Sequence, residues 1–190
     1  MKKLIGLIIL GNIFSPVVMA QNDSSGIYKT ADDFAAKKLS FAINCQTEKH
    51  KIYLNDFFNK PFINVKHYDS TYKIFRKDIY GYRFCNGEKY RIVNRYDLQV
   101  LNPDESIIIY RRNITHPPTG KTNVTNYYFS IGAYSSVQSL TFKNLKKAFS
   151  DNQKFYQQVN SMFKYNTELA AYDDQHKMFV INWIYKNSIE

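Results

Sequence analysis

The stretch Lys77–Arg112, KDIYGYRFCNGEKYRIVNRYDLQVLNPDESIIIYRR, reads as a run of strands separated by turns. Its dipeptide Asn86-Gly87 lies between two segments rich in Tyr, Ile, Val and Arg, and Asn-Gly is typical of a two-residue type I′ hairpin. Asn102–Glu105 has the composition of a second turn, because its proline suits the second position of a type I turn. Ile107–Tyr110 is apolar on both faces, which indicates an interior strand. The stretch therefore predicts an antiparallel β-meander.

The predicted hairpin turn also determines which side chains share a face. A two-residue turn places Tyr82 opposite Arg91 and puts Tyr80, Tyr82 and Arg91 on one side of the hairpin. These residues either pack into the core, with the arginine stem lying across the rings, or form a solvent-facing aromatic and basic platform that stacks on a ligand. We therefore take Tyr80, Tyr82 and Arg91 as candidate binding residues. Gly81, in mid-strand, indicates a bulge or a close approach of the backbone.

The residues that flank the meander predict one short helix and several further strands. Thr30, followed three residues later by Asp33, is typical of a helix N-cap, and this helix is expected to end near Lys37-Lys38. The further strands are predicted at Leu39–Cys45, Lys51–Asn55, Phe62–Lys66, Tyr72–Lys77, Tyr127–Ile131 and Val137–Leu140.

From residue 141 onward the apolar residues recur at helical spacing. Helices are predicted from three capping positions: Thr141, Asp151 or Asn152, and Asp173 or Asp174. The third segment is ambiguous, since Phe179–Tyr185 also fits a strand. Strands first and helices last indicate an α+β fold in which the C-terminal helices pack on the sheet. Residues 21–190 have the length of one domain.

Residues 1–20 have the three-part pattern of a secretory signal. Lys2-Lys3 is the positive segment, Leu4–Phe14 the apolar segment, and Val18–Ala20 the small-residue cleavage site. A buried N-terminal helix is the alternative interpretation. No later stretch is apolar enough to cross a bilayer, so we expect an exported protein, periplasmic or secreted, without a transmembrane segment after signal removal.

Cys45 and Cys85 are the two cysteines of the chain. In an oxidising compartment an even count favours a disulfide, which would tie the N-terminal strands to the meander. Two buried free thiols are an alternative. A redox pair is another, although such a pair normally has the spacing Cys-x-x-Cys.

The formal net charge of +10 is unevenly distributed along the chain. Lys37–Lys77 contains nine Lys and Arg against three acidic residues. Such a stretch either attracts an anionic glycan, lipid head group or nucleic acid, or forms a solvated basic surface without a partner. Because the lysines are scattered rather than clustered, the solvated surface is the favoured interpretation, and we expect no nucleic-acid partner.

The familiar catalytic motifs are absent from the sequence. It contains no His-Glu-x-x-His, no Gly-x-Ser-x-Gly and no phosphate-binding glycine loop, and its histidines stand apart, so we expect no metal or cofactor. The best acid–base candidate is Asp173–His176, where two carboxylates precede an imidazole. An acidic helix start with an exposed histidine is the alternative for this cluster. Further carboxylates in or near the predicted sheet leave a glycosidase-type pair open: Asp78, Glu88, Asp97, Asp104 and Glu105.

Five segments spread over the chain carry a resemblance. They are GIYKTADDF (Gly26–Phe34), LNDFF (Leu54–Phe58), IYGYR (Ile79–Arg83), YYFS (Tyr127–Ser130) and LTFKNLKKAF (Leu140–Phe149). Together they resemble a family of exported bacterial proteins of unknown function. The resemblance implies location in the cell envelope, and it implies no activity, cofactor or catalytic residue.

These observations favour a non-catalytic binding or interaction module of the cell envelope, with a glycan or a protein as partner. The surfaces to inspect are the Tyr and Arg face of the meander and the loop Asn113–Thr125, because loops of that length are often functional. The alternative is a hydrolase of envelope polymers that uses the carboxylates or the Asp173–His176 cluster. A purely structural partner of another envelope protein is a third hypothesis.

Overall fold

The computed structural model of the chain describes residues 24–48, 51–54, 60–114 and 124–189. The predicted signal segment and the middle of the Asn113–Thr125 loop lie outside these residues. The strands in chain order are β1 (Ser24–Tyr28), β2 (Ser40–Asn44), β3 (Lys51–Tyr53), β4 (Phe62–His67), β5 (Ser70–Phe75), β6 (Gly81–Arg83), β7 (Lys89–Val93), β8 (Tyr96–Val100), β9 (Ile107–Ile114), β10 (Val124–Ile131), β11 (Gln138–Ser139), β12 (Tyr172–Asp173) and β13 (Met178–Phe179).

The fold is α+β, as predicted, and is built on an antiparallel sheet of eight strands. The strand order is β11-β10-β9-β8-β7-β6-β1-β2, so each strand from β6 to β11 pairs with the next along the chain. This confirms the meander. Ile107–Tyr110 is fully buried in β9, in the interior of the sheet, because apolar residues on both faces require cover on both faces.

The register of the β6–β7 hairpin differs from the prediction by one residue. Tyr82 pairs with Tyr90 rather than with Arg91, which pairs with Gly81. The connection holds three residues: only Gly87 has a positive φ, of 85°, and its N–H donates to the carbonyl of Phe84 at 3.0 Å. A type I turn followed by a left-handed glycine is the usual three-residue hairpin, and the predicted type I′ turn is therefore wrong.

Gly81 is a site of close backbone approach, one of the two alternatives that the sequence indicated. A Cβ added at Gly81 would lie 2.0 Å from the carbonyl oxygen of Tyr90 on the neighbouring strand. No side chain fits at that distance, so the β6–β7 pairing requires glycine at this position.

The predicted disulfide between Cys45 and Cys85 is present, with its Cα atoms 5.6 Å apart. Cys45 follows β2 and Cys85 lies in the β6–β7 turn. In the sheet β1 lies between β2 and β6, so the bond joins the two strands that flank β1. The N-terminal strands are thereby held to the meander.

The helices are α1 (Ala31–Ala35), α2 (Phe142–Ala148), α3 (Gln153–Met162) and α4 (Val180–Ile189), with short 3₁₀ turns at Arg76–Asp78 and Asn166–Ala170. Thr30, Thr141 and Asn152 cap the first three helices, as predicted. The cap at Asp173 or Asp174 is wrong. Asp173 belongs to a short hairpin of β12 and β13, where its carboxylate accepts from the N–H groups of Gln175 and His176, and the helix begins only at Val180.

We call the sheet face that carries Tyr90, Gln99 and Arg111 the front face. Two layers cover parts of it. The C-terminal helices pack on the β9–β10 part, with a core that includes Ile107, Ile109, Phe129, Leu145, Phe155, Val159, Ile181 and Ile184. A small sheet of β3, β4 and β5 packs on the β1–β6–β7 part, with a core that includes Ile27, Ile63, Val65 and Tyr82.

The back face is covered by α1 and by the segment that follows β10. Phe34 of α1 packs there with Tyr28, Leu98 and Tyr110. The chain thus buries apolar side chains on both sides of one central sheet, and the uncovered part of the front face is where polar side chains collect.

Candidate functional site

The three predicted binding residues do not lie on one face. The one-residue change of register sends Tyr82 to the front face, where it is fully buried beneath the small sheet and stacks on Tyr90 with ring centroids 5.1 Å apart. Tyr80 and Arg91 lie together on the back face, with the guanidinium carbon 4.7 Å from the centre of the Tyr80 ring. The structure therefore brings Tyr80 and Arg91 together and separates Tyr82 from them.

Arg91 and Tyr80 direct their polar groups at the segment that follows β10. Arg91 donates to the Tyr110 hydroxyl at 3.0 Å and to the Ser135 carbonyl at 2.9 Å, and the Tyr80 hydroxyl donates to the Ala133 carbonyl at 3.0 Å. Burial raises the pKa of Tyr80, so its hydroxyl remains a donor. These contacts position a loop, and ligand binding by the three residues stays a prediction.

A cleft on the front face, beside the small sheet, is the stronger candidate. Tyr90, Gln99 and Arg111 are register partners on β7, β8 and β9, so their side chains form a row across its floor. Lys60 and Arg76, from the small-sheet side, form a wall. The cavity has a volume of about 450 Å³, within the size range of ligand sites. We call it the basic cleft.

The basic cleft carries far more positive than negative charge. Five cations line it: Lys60, Arg76, Arg95, Arg111 and Arg112. Among its described lining residues, Asp97 is the single carboxylate. Guanidinium groups are always charged and present a planar set of N–H donors that matches carboxylate, sulfate and phosphate groups, so the cleft attracts anions.

The carboxylate of Asp97 is engaged by Arg76. Arg76 is only 6% exposed, and it donates to Asp97 through one terminal nitrogen and to the Leu54 carbonyl through the other, at 2.8 Å. Burial raises the pKa of Tyr82, and the nearby negative charge of Asp97 raises it further. Because this pair neutralises itself at the base of the cleft, the charge offered to a ligand comes chiefly from Arg95, Arg111 and Arg112.

Arg111 is oriented by a chain of hydrogen bonds along the floor. Its Nε and Nη2 atoms donate to Gln99 Oε1 at 3.1 and 2.7 Å. Gln99 in turn donates to Glu88 at 3.0 Å, and the Tyr90 hydroxyl donates to the other Glu88 oxygen at 3.1 Å. Burial, with the Glu88 carboxylate, raises the pKa of Tyr90 to about 12, so this donor persists at neutral pH. The guanidinium is therefore held in place before a ligand arrives.

Two further arginines are held by an aromatic ring. The guanidinium carbon of Arg112 lies 3.7 Å from the centre of the Tyr96 ring, and that of Arg95 lies 5.7 Å from it. Cation–π contacts of this kind orient a guanidinium while its N–H groups stay available at the edge. Arg95 comes from the β7–β8 turn and Arg112 from β9, and both lie against the ring of Tyr96 in β8.

The Asp173–His176 cluster lies on the exposed β12–β13 hairpin. His176 Nδ1 is 2.6 Å from an Asp173 oxygen, and the imidazole packs on Trp183 at 5.4 Å. The hydrogen bond from His176 lowers the pKa of Asp173. Neither residue lines the basic cleft. The pair that the sequence indicated is thus formed, on an open surface, and its catalytic use stays a prediction.

The other predicted carboxylates are dispersed. Glu88 and Asp97 lie on the front face with the partners given above. Asp104 forms an ion pair with Lys37 at 2.9 Å, and burial raises the pKa of Glu105. Asp78 lies in the 3₁₀ turn after β5. The described residues therefore offer Glu88 and Asp97 as the two carboxylates closest to the cleft, and both are engaged by neighbouring donors.

Within the described ranges, no group of three or more His, Cys, Asp or Glu side chains is arranged to hold a metal ion. In the same ranges, no helix combines the length and the apolar character needed to cross a bilayer. Comparison of the chain with known protein families, with curated proteins and with solved structures finds no match.

Proposed function

We propose that the protein is an exported binding module of the cell envelope whose basic cleft holds an anionic ligand. The observation that carries this proposal is the set of cations around one cavity, with Asp97, the single carboxylate among its described lining residues, already paired to Arg76. Attraction in a partly enclosed cavity is stronger than on an open surface, because the low-dielectric walls focus the field. The partner is an anionic envelope component, either a glycan or a protein.

The chemistry of the lining groups favours binding over proton transfer. Arginine does not release its proton at any physiological pH, and Tyr90, with its raised pKa of about 12, keeps its own. Such groups hold and orient an anion through charge-assisted hydrogen bonds. The cleft is therefore suited to recognition.

Export is supported by two features of the chain. Residues 1–20 have the pattern of a secretory signal, and the Cys45–Cys85 disulfide is of the kind that persists in oxidising compartments. Both favour the periplasm or the extracellular space over the cytosol. Location there would place the basic cleft among the acidic polymers of the envelope.

Replacing Arg95 and Arg112 together by alanine is expected to weaken binding of a soluble polyanion about tenfold, or by ~1.4 kcal/mol. Both residues line the cleft and contact Tyr96 from solvent-accessible positions, so the substitutions remove charge without opening the core. The measurement is titration calorimetry with inorganic polyphosphate and with oligogalacturonate at low ionic strength.

The matched control is Lys143→Ala with Lys147→Ala. These lysines lie on the exposed side of α2, and their removal lowers the net charge by the same amount. We expect the control to bind both polyanions as the parent does. Equal losses in the two double variants would show that binding follows overall charge and would refute a specific site.

A further inference from the structure

A second cavity, of about 440 Å³, adjoins the basic cleft and shares Lys60, Arg76 and Arg95 with it. Its remaining walls combine apolar surface from Pro61 and Phe75 with the polar side chains of Lys77 and Asn94. The two cavities therefore join a strongly cationic compartment to one that offers both cations and an aromatic ring. A simple anion such as phosphate can use the cations of the second cavity, but it makes no use of the ring.

The Phe75 ring is the aromatic surface of this second cavity. It is 41% exposed at the end of β5, although it is a large apolar side chain. Its cross-strand neighbour Phe62 contacts it edge to face at 6.3 Å, and the Lys73 ammonium lies 4.1 Å from the Phe62 ring and 5.4 Å from the Phe75 ring. These contacts hold Phe75 in place while much of it faces solvent.

We infer that the second cavity binds a sugar ring of the ligand, through its C–H face, against Phe75, and that the ligand is an acidic polysaccharide. This inference rests on the proposed function of the basic cleft. The carboxylates of such a chain bind the arginines, and the C–H face of an adjacent sugar packs on the phenyl ring. Amide side chains suited to sugar hydroxyls are present in both cavities: Asn94 in the second and Asn113 in the first.

A single-stranded nucleic acid fits the same surface less well. Proteins that bind such strands present aromatic faces to successive bases. In the basic cleft, Tyr90 is already stacked on Tyr82, and Arg112 covers Tyr96 at 3.7 Å. Phe75 is the one described ring that lines the second cavity, and a single ring there matches one sugar better than a series of bases.

The test is Phe75→Ala, measured by calorimetry with oligogalacturonate and with inorganic polyphosphate of matched charge. We expect affinity for the oligosaccharide to fall about fivefold and affinity for polyphosphate to stay unchanged, because polyphosphate has no ring to stack. Arg95→Ala with Arg112→Ala should weaken both. The control is Tyr134→Ala, since Tyr134 is 69% exposed and lines neither cavity.

Each other result is decisive. Equal effects of Phe75→Ala on the two ligands, or none on either, would overturn the ring subsite and leave the proposed function standing if the arginine variant still loses binding. Failure of the parent to bind either polyanion would refute both proposals. Tighter binding of a single-stranded oligonucleotide than of oligogalacturonate, lost in Phe75→Ala, would assign the site to nucleic acid instead.

Discussion

Replacing Cys45 and Cys85 together by alanine is expected to lower the free energy of unfolding by about 4 kcal/mol. The disulfide closes a loop with a sequence separation of 40, and in the chain-entropy treatment a loop of this size restricts the unfolded chain by that amount. The bond also joins β2 to the turn after β6, so its loss frees the strands on both sides of β1. Equilibrium unfolding in urea measures the change.

The parent protein treated with a reductant is the natural comparison. Its midpoint of unfolding in urea should fall to that of the double variant. The midpoint of the double variant should not change when reductant is added. Neither cysteine lines the basic cleft, so affinity for polyphosphate should be retained below the unfolding range. If the free energy of unfolding of the double variant lies within about 1 kcal/mol of the parent value, sheet packing alone fixes β1 and β2.

Local sequence signals predicted much of this fold, because the interactions behind them are local. Thr30 and Asn152 cap their helices through side-chain bonds to N–H groups three residues away, and such bonds depend on little else. The burial of Ile107–Tyr110 was likewise evident from composition. Prediction of the disulfide required one further assumption, that the protein resides in an oxidising compartment.

The predicted register of the β6–β7 hairpin is wrong because the Asn86-Gly87 dipeptide alone does not determine the turn. Asn86 accepts a bond from the N–H of Glu88 at 3.0 Å, and Cys85 is committed to the disulfide, so the turn takes three residues. The single-residue change moved Tyr82 away from Arg91 and removed the predicted platform. An error of this size changes every face assignment in a strand pair.

The basic cleft could not be predicted from local sequence patterns, for a different reason. Arg76, Arg95 and Arg112 come from three separate elements, and only the sheet order and the position of the small sheet bring them together. The sequence did show an excess of positive charge over Lys37–Lys77, which includes Lys60 and Arg76. It did not show that strand β9 contributes Arg111 and Arg112 to the same cleft.

Asp97→Ala is expected to lower the free energy of unfolding by about 3 kcal/mol while it strengthens polyanion binding. Arg76 is buried, and Asp97→Ala removes the carboxylate that accepts from one of its terminal nitrogens. The same loss removes the only described carboxylate that lines the cleft. Stability and affinity should therefore change in opposite directions, as measured by urea unfolding and by titration with polyphosphate.

Two further variants separate this effect from a general change of charge. Asp78→Ala removes an exposed carboxylate from the same 3₁₀ turn as Arg76, and it should change stability by less than about 0.5 kcal/mol. Arg76→Met with Asp97→Leu removes both charges and should be more stable than Asp97→Ala alone, because the buried charge of Arg76 is removed together with that of Asp97. If the double variant proves less stable than Asp97→Ala, Arg76 stabilises the fold without Asp97, through contacts such as its bond to the Leu54 carbonyl, and the predicted order of stability is wrong.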